Sequence, residues 1–222
     1  MHLVAVSADV SRRFLVLVSA LAATGFAVLA VLVANGVPAI ERADLATHAS
    51  LRAYSVAHSG YLTAMKAITH LGDGVVILVV DTATFAVFLW LRRWRAAIFV
   101  ATGGLGVWLL SRLTRYLMAR PRPGDLLWHA DGPAFPSGHT TNIAATAAIL
   151  TIVCWPFLTH AGRITVGVAA VAVPLAVGFT RIAGGVHWLT DVVGGLLFSL
   201  AVVCAIAATY PPHASAATDH GP

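Results

Sequence analysis

The sequence predicts an all-α integral membrane bundle of six transmembrane helices, and three observations carry that prediction. Of 222 residues, 59% are hydrophobic and only 10% are charged, whereas a soluble domain carries roughly a quarter charged residues. Six apolar runs approach the length of about 20 residues that an α-helix needs to cross a hydrocarbon core. Between those runs, the cations gather in short clusters that are almost wholly arginine, with Lys66 the only lysine.

The first run extends from about Phe14 to Asn35 and the second from about Gly74 to Leu91. The third begins near Ala96 and ends in the cluster RLTRYLMARPRP, Arg112 to Pro123. The fourth covers about Thr140 to Leu158, the fifth about Ile164 to Thr180, and the sixth about Thr190 to Tyr210. The start of the first run, SRRFLV, resembles a twin-arginine signal. A signal's apolar region spans only about 7–15 residues, so this longer run is expected to be a retained helix anchored by Arg12 and Arg13. The mixed segment VPAIERADLATHASLRAYSVAHSG is expected to form a short interfacial helix and a loop.

Residues 1–210 are read as one membrane domain, and the tail PPHASAATDHGP (211–222) as disordered, because it lacks apolar periodicity. Gly103, Gly104, Gly106, Gly194 and Gly195 would let helices approach closely, which is packing rather than chemistry. Cys154 and Cys204 stand in apolar runs with no metal-binding spacing and are read as small buried hydrophobes.

Six spans put both termini on one side. With the amino terminus in the cytoplasm, the inner face carries six cations: Arg12, Arg13, Arg92, Arg93, Arg95 and Arg163. The outer face carries eight: Arg42, Arg52, Lys66, Arg112, Arg115, Arg120, Arg122 and Arg181. Taken raw, the positive-inside rule points weakly the wrong way. Setting aside Arg112, Arg115, Arg120, Arg122 and Arg181 leaves six against three, so this orientation requires those five to have another task.

The residues after the arginine cluster suggest one. The loop AFPSGHTTN runs through Pro136, Ser137, Gly138 and His139 straight into the fourth span. A helix start leaves backbone N–H groups unpaired and, with the helix dipole, makes a seat for an anion. Taken alone, Ser-Gly before a helix is also ordinary N-cap chemistry. The third outward loop, FTRIAGGVHWLTDVVGG, holds Arg181, His187 and Asp191. A spacing of four places His187 and Asp191 on one helix face, where a carboxylate fixes the tautomer of the imidazole and frees its other nitrogen. A capping aspartate beside an interfacial histidine would read the same way. Six-span topology returns all three loops to one membrane face, where arginine forks suit phosphate oxygens.

In this order and spacing the segments resemble the type-2 phosphatidic acid phosphatase family, whose phosphate pocket is shared with vanadium haloperoxidases. That family's motifs read K-x6-RP, PSGH and SR-x5-H-x3-D. The first stands here as Arg115-YLMARP-Arg122-Pro123, with arginine for lysine. The second is Pro136 to His139, and the third is Thr180-Arg181-IAGGV-His187-WLT-Asp191, with threonine for serine.

The resemblance implies catalysis through a phosphohistidine. His187 would attack phosphorus, oriented by Asp191, and His139 would protonate the leaving oxygen and then activate water. Arg115, Arg122, Arg181 and the Ser137–Gly138 backbone would bind the nonbridging oxygens. It also implies a membrane lipid phosphate or diphosphate as substrate, of the polyprenyl diphosphate, phosphatidylglycerophosphate or phosphatidic acid type. No cofactor is implied, and no carboxylate cluster suited to a metal stands in the sequence. The cations lie between apolar spans, so the bilayer and phosphates are the expected partners rather than nucleic acid; no oligomeric state is specified.

Two other functions fit the same residues: transfer of the phosphate to a lipid or sugar hydroxyl, and non-enzymatic transport using Asp81 and the arginines. Asp81, in the middle of the second span, is expected to hydrogen-bond a neighbouring helix. His48, His58, His70, His129, His160, Asp125 and Asp131 are read as solvated loop residues. Arg112 and Arg120 stay open between a second phosphate, a headgroup and a helix anchor.

Overall fold

The computed structural model describes residues 2–213. Eight α-helices follow one another: α1 His2–Ala34, α2 Pro38–Ala57, α3 Ser59–Thr69, α4 Gly74–Trp90, α5 Trp94–Met118, α6 Gly138–Cys154, α7 His160–Ala183 and α8 Leu189–Thr209. A 3-10 turn, His70–Gly72, joins α3 to α4. Six helical stretches are long and apolar enough to cross a membrane: Arg12–Ala34, Ser59–Trp90, Trp94–Met118, Gly138–Phe157, His160–Ala183 and Leu189–Thr209. The all-α six-span architecture is therefore as the sequence predicts.

Helix α6 lies at the centre, against α5, α7 and α8, while α1 runs along α8. The seam is filled by Phe99, Val100 and Val107 of α5, Ile149 and Val153 of α6, and Val203 of α8, all fully buried. Gly103 sits against Ile149 and Gly194 against Phe135 so closely that a Cβ would collide with either side chain. Small residues thus set the helix spacing, as expected where lipid offers no hydrophobic drive for association. Leu17, Leu21, Val75, Leu78, Trp90 and Val168 point outward, which suits a hydrocarbon solvent and not water.

The segment between the first two spans differs from expectation. A 20-residue helix, α2, fills it instead of a short helix and a loop, and the helical stretch of the second span begins at Ser59 and not near Gly74. Tertiary anchors explain the order in this polar stretch. Ser55 donates to the carbonyl of Ala183 at 2.8 Å, His48 pairs with Asp125 at 2.8 Å, and Asp44 is buried against Thr190.

The two ends of the bundle use arginine differently. At the end opposite the three motif loops, Arg12 donates to Ala208 O at 3.2 Å, Arg95 to Pro211 O at 3.1 Å and Arg163 to Trp155 O at 3.3 Å. Cations there meet the carbonyl ends of helices, a favourable pairing with the dipole. His213 of the expected tail reaches Ile152 O at 3.1 Å; residues 214–222 lie outside the described part of the chain. In the span, Thr146 donates to Asp81 at 2.9 Å, the interhelical bond anticipated for that acid.

Candidate active site

Three helix ends build the site. Ala119, in the left-handed conformation (φ 46), ends α5 and turns the chain into the loop that carries Arg120 and Arg122. Ala134 N donates to Arg120 O at 2.8 Å and Leu127 N to Gly184 O at 3.0 Å, pinning this loop to its own start and to the end of α7. Ser137 N donates to Asp191 O at 2.9 Å, so the PSGH turn and the start of α8 are stitched together. At Gly185 (φ 66) the backbone needs glycine. The turn there brings the N–H groups of Val186 and His187 back to Arg181 O at 3.1 and 3.2 Å.

His187 is 1% exposed. It precedes α8 instead of sharing its face with Asp191, yet the two still meet, with Nδ1 at 3.2 Å from Oδ2. The same Oδ2 accepts the N–H of Trp188 at 2.9 Å, so Asp191 is held by the helix start that it caps. On the other side of the ring, Arg122 Nη1 lies 3.0 Å from Nε2. A guanidinium can only donate, so Nε2 carries the lone pair and the ring proton sits on Nδ1, shared with Asp191. Burial pushes the His187 imidazole down to about 4, Asp191 opposing the fall while the charges of Arg122 and Arg181 add to it. At neutral pH the ring is uncharged with a defined tautomer.

Arg122 is fixed by carbonyls: Val186 O at 2.7 Å, Gly132 O at 2.8 Å and Asp131 O at 2.7 Å. Burial pushes its guanidinium below the ordinary arginine range, against the pull of Asp191 and Asp131. Arg115 lies against the PSGH turn: a Cβ placed on Gly138 would sit 2.6 Å from Arg115 Nη1. Arg181 donates to Thr69 at 2.8 Å and lies 5.8 Å from the Trp128 ring centroid. Its Nε is buried and meets no acceptor among the described residues, a donor suited to an anion. Arg122 and Arg181 lie near enough for their charge to act on both His139 and His187, so the two histidines share one pair of guanidiniums.

The Ser137 N–H, given to Asp191, is not free for an anion. Its hydroxyl accepts from Thr140 at 3.0 Å, which leaves the Ser137 O–H available to donate. Thr180, the threonine in the third motif, turns its hydroxyl away to Val177 O at 2.6 Å.

Several residues at the site were missed or left open by sequence reasoning. Arg120 donates to Asp191 Oδ1 at 2.6 Å, to Asp44 Oδ2 at 2.7 Å and to Thr190 at 2.7 Å. It is therefore committed to two carboxylates, while Arg112 remains exposed, 5.2 Å from the Trp108 ring centroid. Asp73 lies 3.0 Å from His139 Nε2, with His70 on its other oxygen at 2.7 Å. His48 and Asp125, expected in solvent, are paired, with Arg52 also on Asp125, and His48 is buried. By contrast, His129 and Asp131 are solvated as expected. The pair His70–Asp73, three apart just before the Gly74 start that the sequence suggests for the second span, was the one signal present in the sequence.

A model of the PAP2 superfamily matches residues 96–214. Over 141 residues the chain is 30% identical to phosphatidylglycerophosphatase B of Bacillus subtilis (strain 168), covering 61% of this chain and 68% of that one. The fold matches the crystal structure of a transmembrane PAP2-type phosphatidylglycerolphosphate phosphatase from Bacillus subtilis. The TM-score is 0.72 and the identity 25%, over 85% of this chain and 94% of the other.

Proposed function

The chain belongs to the PAP2 superfamily, and we propose that it is a membrane phosphatase that removes a phosphate from a lipid phosphate or diphosphate through a phosphohistidine on His187. The observation that carries this reading is the state of His187: a buried imidazole whose Nδ1–H goes to Asp191 and whose Nε2 lone pair faces Arg122. An approaching phosphate takes over that Arg122 N–H through a nonbridging oxygen, bringing phosphorus opposite Nε2. Arg115, Arg181, the Ser137 hydroxyl and the Gly138 backbone hold the remaining oxygens. Such fixed donors stabilise charge that is spread over the equatorial oxygens in the transition state.

The reaction runs in two displacements. Nε2 of His187 forms the N–P bond as the P–O bond to the lipid breaks, and His139 gives its proton to the leaving oxygen. Water then attacks the phosphohistidine, passing its proton to His139 and restoring it. Asp191 stabilises the positive charge that the His187 ring acquires in the first step. The arginines supply the positive charge, so turnover is expected to persist without divalent metal.

Among lipid phosphates, the likeness to phosphatidylglycerophosphatase B favours phosphatidylglycerophosphate. The site faces the outer side with both termini in the cytoplasm. The arginine ring on helix carbonyls supports this orientation: it holds the inner end, while Arg115, Arg122 and Arg181 serve the anion.

The test is phosphate release from purified protein, with chelator present, on phosphatidylglycerophosphate, a polyprenyl diphosphate, phosphatidic acid and a soluble ester. Turnover that His187→Ala abolishes, with phosphatidylglycerophosphate fastest, is the expected result. Substrate consumed only when a hydroxyl acceptor is added, with the phosphate appearing on that acceptor and no inorganic phosphate released, would make the protein a phosphotransferase, and activity retained in His187→Ala would overturn the scheme.

A further inference from the structure

Resting on that reading of His139 as the acid, we propose that Asp73 is the positioning residue of the general acid, with His70 holding Asp73 in place from the exposed side of the turn that joins α3 to α4. His139 opens α6 and turns its Nε2 toward Asp73 Oδ1 at 3.0 Å. Asp73 itself is the last residue before α4, and its Oδ2 takes the Nδ1 of His70 at 2.7 Å. The three groups thus run from His70, 69% exposed, inward to the reaction centre. The turn that carries them is fitted to the acid. A Cβ on Gly72 would lie 3.1 Å from the Cβ of His139 and 2.8 Å from Val177 Cγ1, so only glycine lets His70–Gly72 close on α6.

The chemistry follows from which atom is engaged. With Nε2–H committed to Asp73, Nδ1 is the ring nitrogen left to face the leaving oxygen. In the first displacement the Nδ1 proton passes to the departing oxygen as its bond to phosphorus breaks. The ring is left neutral, with Nε2–H still on Asp73. Charge makes the contact more than steric. The groups that act on His139 from the surrounding elements are Arg181 of α7, Arg122 of the loop after α5, and Asp73. Two of the three are cationic, and Asp73 supplies the one negative charge that favours a protonated ring.

This arrangement is the counterpart, on the acid, of the carboxylate that orients His187. A site that must keep one imidazole neutral and another protonated under the same two guanidiniums needs two such carboxylates aimed differently.

The experiment compares kcat/KM, which reports the steps through phosphorylation of His187, for a monoalkyl phosphate and for 4-nitrophenyl phosphate. The alkyl leaving group needs a proton; the nitrophenolate leaves as a stable anion. For Asp73→Asn the expected loss is about 100-fold on the alkyl ester, in the range of general acid catalysis, and under about 10-fold on the aryl ester. The alkaline limb of the alkyl profile should move to lower pH. Equal losses on both esters would mark Asp73 as merely structural, and no loss on either would remove it from the mechanism; both overturn the proposal. If Asp73→Asn does not fold, His70→Ala on the exposed surface carries the test. The same split at smaller size is expected, and its absence overturns the proposal. Failure of the phosphohistidine reading looks different: wild-type protein and His187→Ala would then hydrolyse the aryl ester equally.

Discussion

Arg120→Leu offers the sharpest test of how the site is held. The guanidinium, 13% exposed, bridges Asp44 and Asp191, which are 2% and 0% exposed, at 2.7 and 2.6 Å. Leucine would leave both carboxylates buried without their cation. Asp44 would keep the Thr190 N–H at 2.9 Å, and Asp191 the Trp188 N–H at 2.9 Å, so the loss is partial at each. Removing one partner of a buried ion pair destabilises by about 3–5 kcal/mol. For a chain of this length, with roughly 2–4 °C per kcal/mol, the midpoint should fall by about 6–20 °C. Thermal unfolding in detergent at neutral pH measures it. Arg120→Lys, whose compact ammonium cannot fork to both acids, should fall between. Asp44→Asn combined with Arg120→Leu should cost less than the two separately, by about 0.5–3 kcal/mol of coupling. If Arg120 instead contacts a lipid headgroup, the midpoint stays within about 2 °C and only KM rises. That result would refute the network.

The remaining expectations concern the phosphate pocket. His187, pushed down to about 4 by burial, loses its lone pair only when protonated, so free-enzyme kcat/KM should hold as pH falls until it drops near pH 4. An acid limb centred near the ordinary histidine value of about 6.5 would show that burial does not govern the nucleophile. The alkaline limb follows loss of the His139 proton, giving a bell-shaped profile overall. Gly138→Ala should displace the Arg115 head, since the new methyl would lie 2.6 Å from Nη1; steady-state kinetics should record a higher KM for the phosphate substrate with little change in the thermal midpoint.

The parts of this molecule that could be read from sequence are those written locally. Six apolar runs announced the helices, and the three motif segments pointed to His139, His187, Asp191 and the arginines around them as candidates, because each motif is one short continuous stretch of sequence across a helix end. Asp44 and Thr69 carried no such mark, and Asp73 only its spacing from His70. Their partners lie 66 to 146 positions away in the chain, and no spacing rule links an acid on a polar helix to an arginine beyond two spans. The same distance hid the full length of α2, expected only as a short helix before a loop until Asp44, His48 and Ser55 find their contacts. The raw cation count cannot register such contacts either: Arg120, Arg122 and Arg181 are engaged by carboxylates, carbonyls and a hydroxyl, and the proposed orientation rests on leaving them out of the count.

The stretch matched by the superfamily starts at residue 96, yet Asp44, Thr69, His70 and Asp73 all precede it. On the proposed mechanism, the half of the chain bearing every motif would therefore not be an autonomous catalyst. Transplanted alone, it would lack Asp44 and Asp73, the carboxylates that meet Arg120 and His139. Divergence in those first helices gives relatives with identical motifs a route to different rates and pH ranges.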